Sequence, residues 1–188
     1  MSTVKAAVFA SGTGSNFQAI IETKDLTCDV VLLVCDKPEA GAVEKAARFG
    51  IPSIVFDPKD YPSKADYEQF LIQKLQEANV TWIFLAGYMR IVGPALLQAF
   101  ANRIINIHPS LLPEFPGKDA IGQAYHAGAS STGVTVHYVD EGIDTGPIIA
   151  QEPLEIFPTD SEETLKKRIQ KIEHELYPQV INKLLQSK

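Results

Sequence analysis

The sequence predicts an α/β fold: a single domain on an open, mostly parallel sheet flanked by helices, with a C-terminal antiparallel hairpin and a long final helix. Three observations predict it. Short β-rich runs, apolar on both faces, alternate with amphipathic segments up to His108, as in a parallel sheet covered on both sides. After Ser110 the alternation gives way to two extended runs joined by a turn-rich loop, which reads as a hairpin. No linker, repeat or low-complexity tract divides the 188 residues, a length that suits one domain with a substantial core.

The elements follow in order. "VKAAVFA" (Val4–Ala10), "DVVLLVCD" (Asp29–Asp36), "PSIVF" (Pro52–Phe56), "TWIFLAG" (Thr81–Gly87) and "RIINIH" (Arg103–His108) read as strands bounded by turn residues. Helices are predicted between them at Asn16–Thr23, Ala40–Phe49, Ser63–Ala78 and Pro94–Phe100. In the third, Tyr67, Phe70, Leu71, Lys74 and Leu75 recur at i, i+3, i+4, and Ser63 is placed to cap the first turn. "LLPEFPG" is a proline-rich loop, with a short helix expected over Lys118–Ala127. Gly133–Val139 and Ile148–Phe157 form the hairpin around "DEGIDTGP", and Ser161–Leu185 the final helix.

Composition narrows the function. A net charge of -6 offers no basic stripe to neutralise a phosphate backbone, so no nucleic-acid partner is expected. Anionic small molecules need only backbone amides and a few placed cations. Cys28 and Cys35 are too few and too poorly spaced for a metal site or a disulfide framework; two reduced thiols in a cytoplasmic protein are expected, with no metal. The N-terminus lacks the pattern of a signal peptide, and no apolar run approaches the roughly 20 residues that span a bilayer, so no membrane partner is expected.

Chemistry concentrates at predicted strand ends, where ligands of open α/β sheets gather. "ASGTGSN" (Ala10–Asn16) turns from the first strand into a helix with small residues, bringing amides close to an anion, with phosphate the best fit. It lacks the Lys of a P-loop, and Phe17 stands where a dinucleotide fingerprint needs its third glycine, although Asp36 lies where a ribose-binding acid would sit. A tight turn capped by Ser15 or Asn16 explains the same residues. In "INIHPSLLP" (Ile105–Pro113), Asn106 and His108 share one face of a strand and the isoleucines take the other. An amide and an imidazole converging at a strand end suit the stabilisation of negative charge developing on oxygen. Asp144 in the hairpin loop reads by itself as a turn residue, and only proximity to His108 would make it catalytic. In "AGYMRIVGP", Met89, Ile91 and Val92 would line an apolar slot for a flat ring, with Arg90 near an acid, or would simply pack into the core. His137 reads as a packed strand histidine, and Gln170 and Glu173 as neighbours on a solvated helix face.

"SGTGSN", "AGYMRIVGP", "NIHPSLLPEFPG", "TGVTVHYVDEGIDTGPII" and "EHELYP", in this order, resemble the folate-dependent formyltransferase family. Within it they resemble the branch that acts on glycinamide ribonucleotide in purine biosynthesis, and the likeness runs from about Val4 to Leu185. The resemblance implies that a substrate amine attacks the formyl carbon of 10-formyltetrahydrofolate, the co-substrate. Asn106 and His108 would stabilise the oxyanion, and Asp144 would hold His108 charged and help relay a proton. Gly14, Ser15 and Asn16 would take the ribonucleotide phosphate, and Gln170 and Glu173 the sugar or glycine amine end. Met89, Arg90, Ile91 and Val92, with Asn106, Asp140 and Glu141, would hold the pterin mostly through backbone groups. Lys64 stands near the position of an arginine that reaches the folate glutamate tail in some members, and supplies charge without a bidentate fork.

The implied layout is one formyltransferase domain over 1–188, with the phosphate site in about 1–100 and the folate and catalytic site in about 101–188; a homodimer is left open. Relatives that formylate tRNA add a C-terminal RNA-binding domain, and deformylating hydrolases an N-terminal regulatory domain. With a first strand from residue 4 and a last helix to Leu185, neither is expected here. An NAD-binding oxidoreductase is disfavoured by the missing third glycine, and a non-catalytic nucleotide-binding module by the Asn106, His108 and Asp144 set.

Overall fold

A computed structural model describes residues 3–187. Seven strands form one sheet: β1 (Val4–Ala10), β2 (Cys28–Cys35), β3 (Ser53–Val55), β4 (Trp82–Leu85), β5 (Ile104–His108), β6 (Ser131–Tyr138) and β7 (Ile148–Glu155), in the order β3-β2-β1-β4-β5-β6-β7. The pairs from β3 to β5 are parallel, and β5–β6 and β6–β7 are antiparallel. Strand order reverses at β1, which lies between β2 and β4. The crevice beyond the carboxyl ends of β1 and β4 is therefore the topological switch point, where chains leave toward opposite sides of the sheet.

Among the described residues six α-helices cover the sheet: α1 (Ser15–Ile21), α2 (Gly41–Arg48), α3 (Lys64–Glu77), α4 (Pro94–Ala99), α5 (Ala120–His126) and α6 (Glu162–Gln186). Alternation along the strands sorts the core into two layers. Ala6, Val8 and Ala10 of β1 and Phe84 of β4 pack with Phe17 and Ile20 of α1, Ala42 and Ala46 of α2, and Leu165, Ile169 and Tyr177 of α6. Ala7 and Phe9, with Ile83, Leu85 and Ile104, pack on the other face against Tyr67, Leu71 and Leu75 of α3 and Leu96 of α4. That second layer contains no side chain of β6 or β7, so helical cover stops near β5. Beyond Ile104, the residues that β5 and β6 pair on that face, Asn106 with His137 and His108 with Thr135, are polar.

Most boundaries differ from the sequence expectations by one or two residues; β4 ends at Leu85 rather than Gly87, and β6 begins at Ser131 rather than Gly133. α1 begins at Ser15 rather than Asn16, because its N-cap is Gly14 at φ 75°, with no side-chain cap; the expected Ser15 or Asn16 cap does not form. A Cβ at Gly14 would stand 2.7 Å from the Ala42 Cα, so close approach of α2 also requires glycine there. β3 contracts to three residues. β7 ends at Glu155 rather than Phe157, whose N–H donates 2.8 Å to the Asp160 carboxylate and begins the turn into α6. Ser161 caps α6 through a capping box with Thr164, and Ser63 caps α3 as its position predicted.

Candidate active site

A cleft of about 1240 Å³ runs along the carboxyl edge of the parallel strands, its walls taken from the loops after β1, β2, β4 and β5, the β6–β7 loop and α6. Gly14, Ser15, Asn16, Lys64, Met89, Arg90, Ile91, Val92, Asn106, His108, Asp140, Asp144, Gln170 and Glu173 all line it. Glu141 is exposed in the same loop as Asp140 and lies outside the lining.

Pairing of β5 with β6 builds the centre. Register places Asn106 opposite His137 and His108 opposite Thr135, so the four side chains share one face. His137 Nδ1 lies 2.8 Å from the Tyr138 carbonyl, which can only accept; that nitrogen is therefore the donor in the neutral ring. Its Nε2 is left as an acceptor for the Asn106 Nδ2, at 3.3 Å. Burial holds the His137 pKa below the ordinary imidazole value, against the opposing pull of the Tyr138 carbonyl and Asp144. The neutral ring thus orients the Asn106 amide. The sequence reading missed this role, because only the β5–β6 register reveals it.

His108 is 5% exposed, and both its ring nitrogens face oxygens. Nε2 donates 2.9 Å to the Phe115 carbonyl, and Nδ1 lies 3.5 Å from Asp144 Oδ2. Asp144 itself sits at φ 55°, a left-handed conformation that aspartate tolerates better than most side chains. There its carboxylate accepts the Gly117 N–H at 2.7 Å and lies 3.7 Å from His137 Nε2. One carboxylate thus meets both histidines and the proline-rich loop. Asp140 accepts from the Gly142 N–H at 3.0 Å and from the Thr145 hydroxyl at 2.6 Å, which lowers its pKa and shapes the hairpin loop.

Ser110, Leu112 and Gln151 meet at the fully buried Thr135. Its hydroxyl donates 2.6 Å to the Ser110 carbonyl and accepts from the Leu112 N–H at 3.1 Å and the Gln151 amide at 3.0 Å. Because β7 supplies Gln151 opposite Thr135, the hairpin ties down the start of the loop that reaches His108. None of these partners carries a sequence signal of its own.

At one end of the cleft, the Gly12 carbonyl accepts from the Ala42 N–H at 3.1 Å and the Thr13 carbonyl from Lys45 Nζ at 2.8 Å. With both carbonyls turned to α2, the planar trans peptides aim the Thr13 and Gly14 N–H groups the opposite way. Glu173 is 8% exposed; burial raises its pKa to about 7, moderated by a hydrogen bond with Asn16. It is therefore a buried carboxyl of the cleft, not part of a solvated helix face. After β4, the acid beside Arg90 is Asp36, 2.8 Å from Nε. Asp36, weighed above as a ribose ligand, is buried in that pair. Met89 and Ile91 are exposed at the rim while Val92 is buried, and Lys64 donates 2.8 Å to the Ile91 carbonyl.

A family model described as formyl transferase matches residues 4–181. A phosphoribosylglycinamide formyltransferase of Bacillus subtilis (strain 168) is 56% identical over 184 residues, covering 96% of this chain and 94% of that protein. The trifunctional purine biosynthetic protein adenosine-3 of Drosophila melanogaster is 43% identical over 186 residues, which cover 96% of this chain and 14% of that one. Among solved structures, glycinamide ribonucleotide transformylase 1 of Geobacillus kaustophilus is similar at a TM-score of 0.96 and 58% identity, over 98% of this chain and 100% of that chain.

Proposed function

The chain belongs to the formyl transferase family, and from that premise we propose that it transfers the formyl group of 10-formyltetrahydrofolate to the amine of glycinamide ribonucleotide. The products are formylglycinamide ribonucleotide and tetrahydrofolate, in purine biosynthesis. One observation carries the reading: Asn106, His108 and Asp144 line the same cleft as the Gly12–Asn16 loop and the Met89–Val92 segment.

The Thr13–Asn16 loop takes the phosphate on backbone amides, and Gln170 and Glu173 face the sugar and the glycine amine. Met89 to Val92 and the Asp140–Asp144 loop hold the pterin, with Lys64 and Arg90 toward the anionic tail. The amine nitrogen attacks the formyl carbon, whose oxygen takes on negative charge. The Asn106 amide and the His108 ring donate to that oxygen where charge develops, the arrangement that lowers a barrier most directly. Collapse of the intermediate breaks the bond to folate N10. The proton lost by the amine reaches N10 by way of the His108 and Asp144 pair. The Phe115 carbonyl occupies His108 Nε2 in this structure, so it withdraws to admit the oxyanion.

The proposal treats the chain as one domain, with the phosphate loop in about 1–100 and the catalytic pair in about 101–188; Met89–Val92 and α6 each serve the ligand of the other half. A cytoplasmic location is proposed on two free buried thiols, Cys28 and Cys35, the state of a reducing compartment. A homodimer is the further proposal that sedimentation would test.

The deciding experiment follows tetrahydrofolate release from 10-formyltetrahydrofolate with and without glycinamide ribonucleotide. Release only with the ribonucleotide supports the transferase. Release without it means hydrolysis of the formyl group, and no release retires the proposal.

A further inference from the structure

Two side chains of α3 stand behind the loop that follows β4, one helical turn apart. Glu68 is 2% exposed, does not line the cleft, and is used by no step above. Its Oε2 accepts the Gly93 N–H at 2.8 Å and its Oε1 the Leu96 N–H at 3.4 Å. Lys64 Nζ donates to the Ile91 carbonyl at 2.8 Å. Hence the Ile91 C=O and the Gly93 N–H both point at α3. Peptide units are planar and trans, so the Val92 N–H, opposite the first, and the Val92 C=O, opposite the second, face the other way. Neither has a partner among the described residues, although Val92 is 4% exposed and lines the cleft. Buried peptide groups are almost always paired, so an open donor and acceptor side by side mark a place for a ligand edge carrying the complementary pair.

We propose that Glu68 is a positioning residue for the folate side of the cleft: by holding the Gly93 amide it fixes which way the Val92 carbonyl faces, beside the Val92 N–H whose peptide Lys64 holds. The inference rests on the reading of Met89–Val92 as the folate slot. A helix cap alone is a poor account of Glu68, since capping is ordinarily done by a small exposed side chain at the N-cap itself, and a buried carboxylate is costly. Here the N-cap is Gly93, and a Cβ there would stand 2.6 Å from Glu68 Oε1. The glycine makes room for the carboxylate.

Glu68→Ala is expected to raise the KM for 10-formyltetrahydrofolate, and the Kd for tetrahydrofolate measured by calorimetry, about tenfold, the size of one lost charged hydrogen bond. The KM for glycinamide ribonucleotide should stay within about twofold. Glu68→Gln, which keeps one acceptor, should recover folate binding to within about threefold. Gly93→Ala, which keeps the carboxylate but displaces it, should reproduce the folate-side loss if Glu68→Ala does not fold. A folate KM unchanged in a folded variant, or both KM values rising together, would overturn the inference. Wild-type protein without folate-dependent turnover would instead overturn the underlying reading, before any variant is made.

Discussion

His108 is confined from two sides, by the Phe115 carbonyl at Nε2 and the Asp144 carboxylate near Nδ1. On the proposed mechanism the Phe115 contact gives way to the oxyanion, so the Asp144 carboxylate is the contact that keeps the ring in place. On that mechanism, replacing His108 by alanine removes both the donor to the developing oxyanion and the proton carrier. His108→Ala should lower kcat by about 10²- to 10⁴-fold, the range for losing such groups. Steady-state assays at saturating substrates check this, and a variant within about threefold of wild type would retire the role. The residue types at this centre were legible in the chain: Asn106 and His108 share a face by strand geometry alone. Asp144 was not, because a turn aspartate looks the same whether or not a histidine lies beside it. His137 was read as packing, which describes its burial but not its bond to Asn106.

Among the elements, α6 does more than cover the sheet. Its Tyr177 is fully buried and donates from its hydroxyl to the Leu85 carbonyl at 2.8 Å, with the Ile105 carbonyl at 3.3 Å. These are the last residue of β4 and the second of β5, so one hydroxyl joins two of the strands that carry cleft loops. Tyr177→Phe keeps the ring and leaves buried carbonyls short of a donor. It should destabilise the fold by about 1–3 kcal/mol, read as a lower urea midpoint at unchanged slope. Asn182 anchors the C-terminal end of the helix, accepting from the Thr27 N–H at 2.8 Å and donating to the Asp25 carbonyl at 3.0 Å. The alternating elements were readable because strand and helix periods differ. Their ends were less so, since Gly14 at α1 and Asp160 after β7 act through backbone contacts rather than composition.

At the scale of the whole molecule, the cleft sets a cost on stability. Burial lifts the Glu173 pKa from the ordinary 4.5 to about 7. Between those values the native carboxyl keeps a proton that the unfolded chain has released. Stability contributed by this site therefore falls as pH rises from about 4.5 to 7, and the full cost stands above 7. The shift corresponds to about 3 kcal/mol. His137, whose pKa is lowered by burial, acts in the opposite sense, since the unfolded chain binds its proton first as pH falls. The comparison of wild type with Glu173→Gln isolates the first effect. The variant should be more stable at pH 8 by up to about 3 kcal/mol, and the difference should shrink toward pH 4.5. Denaturant curves at several pH values check it, and a difference independent of pH would contradict the assignment. The same variant is expected to bind glycinamide ribonucleotide less tightly, the usual conflict between a functional buried carboxyl and stability.

Local pattern alone was enough for the α/β class, the alternation that makes a parallel sheet, the late hairpin, and the two strand ends proposed as sites. All of these depend on short-range regularities: the period of apolar residues, small residues in a turn, and polar residues two apart on a strand. Only the tertiary structure decided what meets what. The β5–β6 register sets His137 against Asn106, the folded-back loops bring Asp144 to His108 and Asp36 to Arg90, and α3 puts Glu68 behind Val92. Each of these contacts joins residues 24 or more positions apart along the chain or depends on strand pairing, and local periodicity carries no information about such distances.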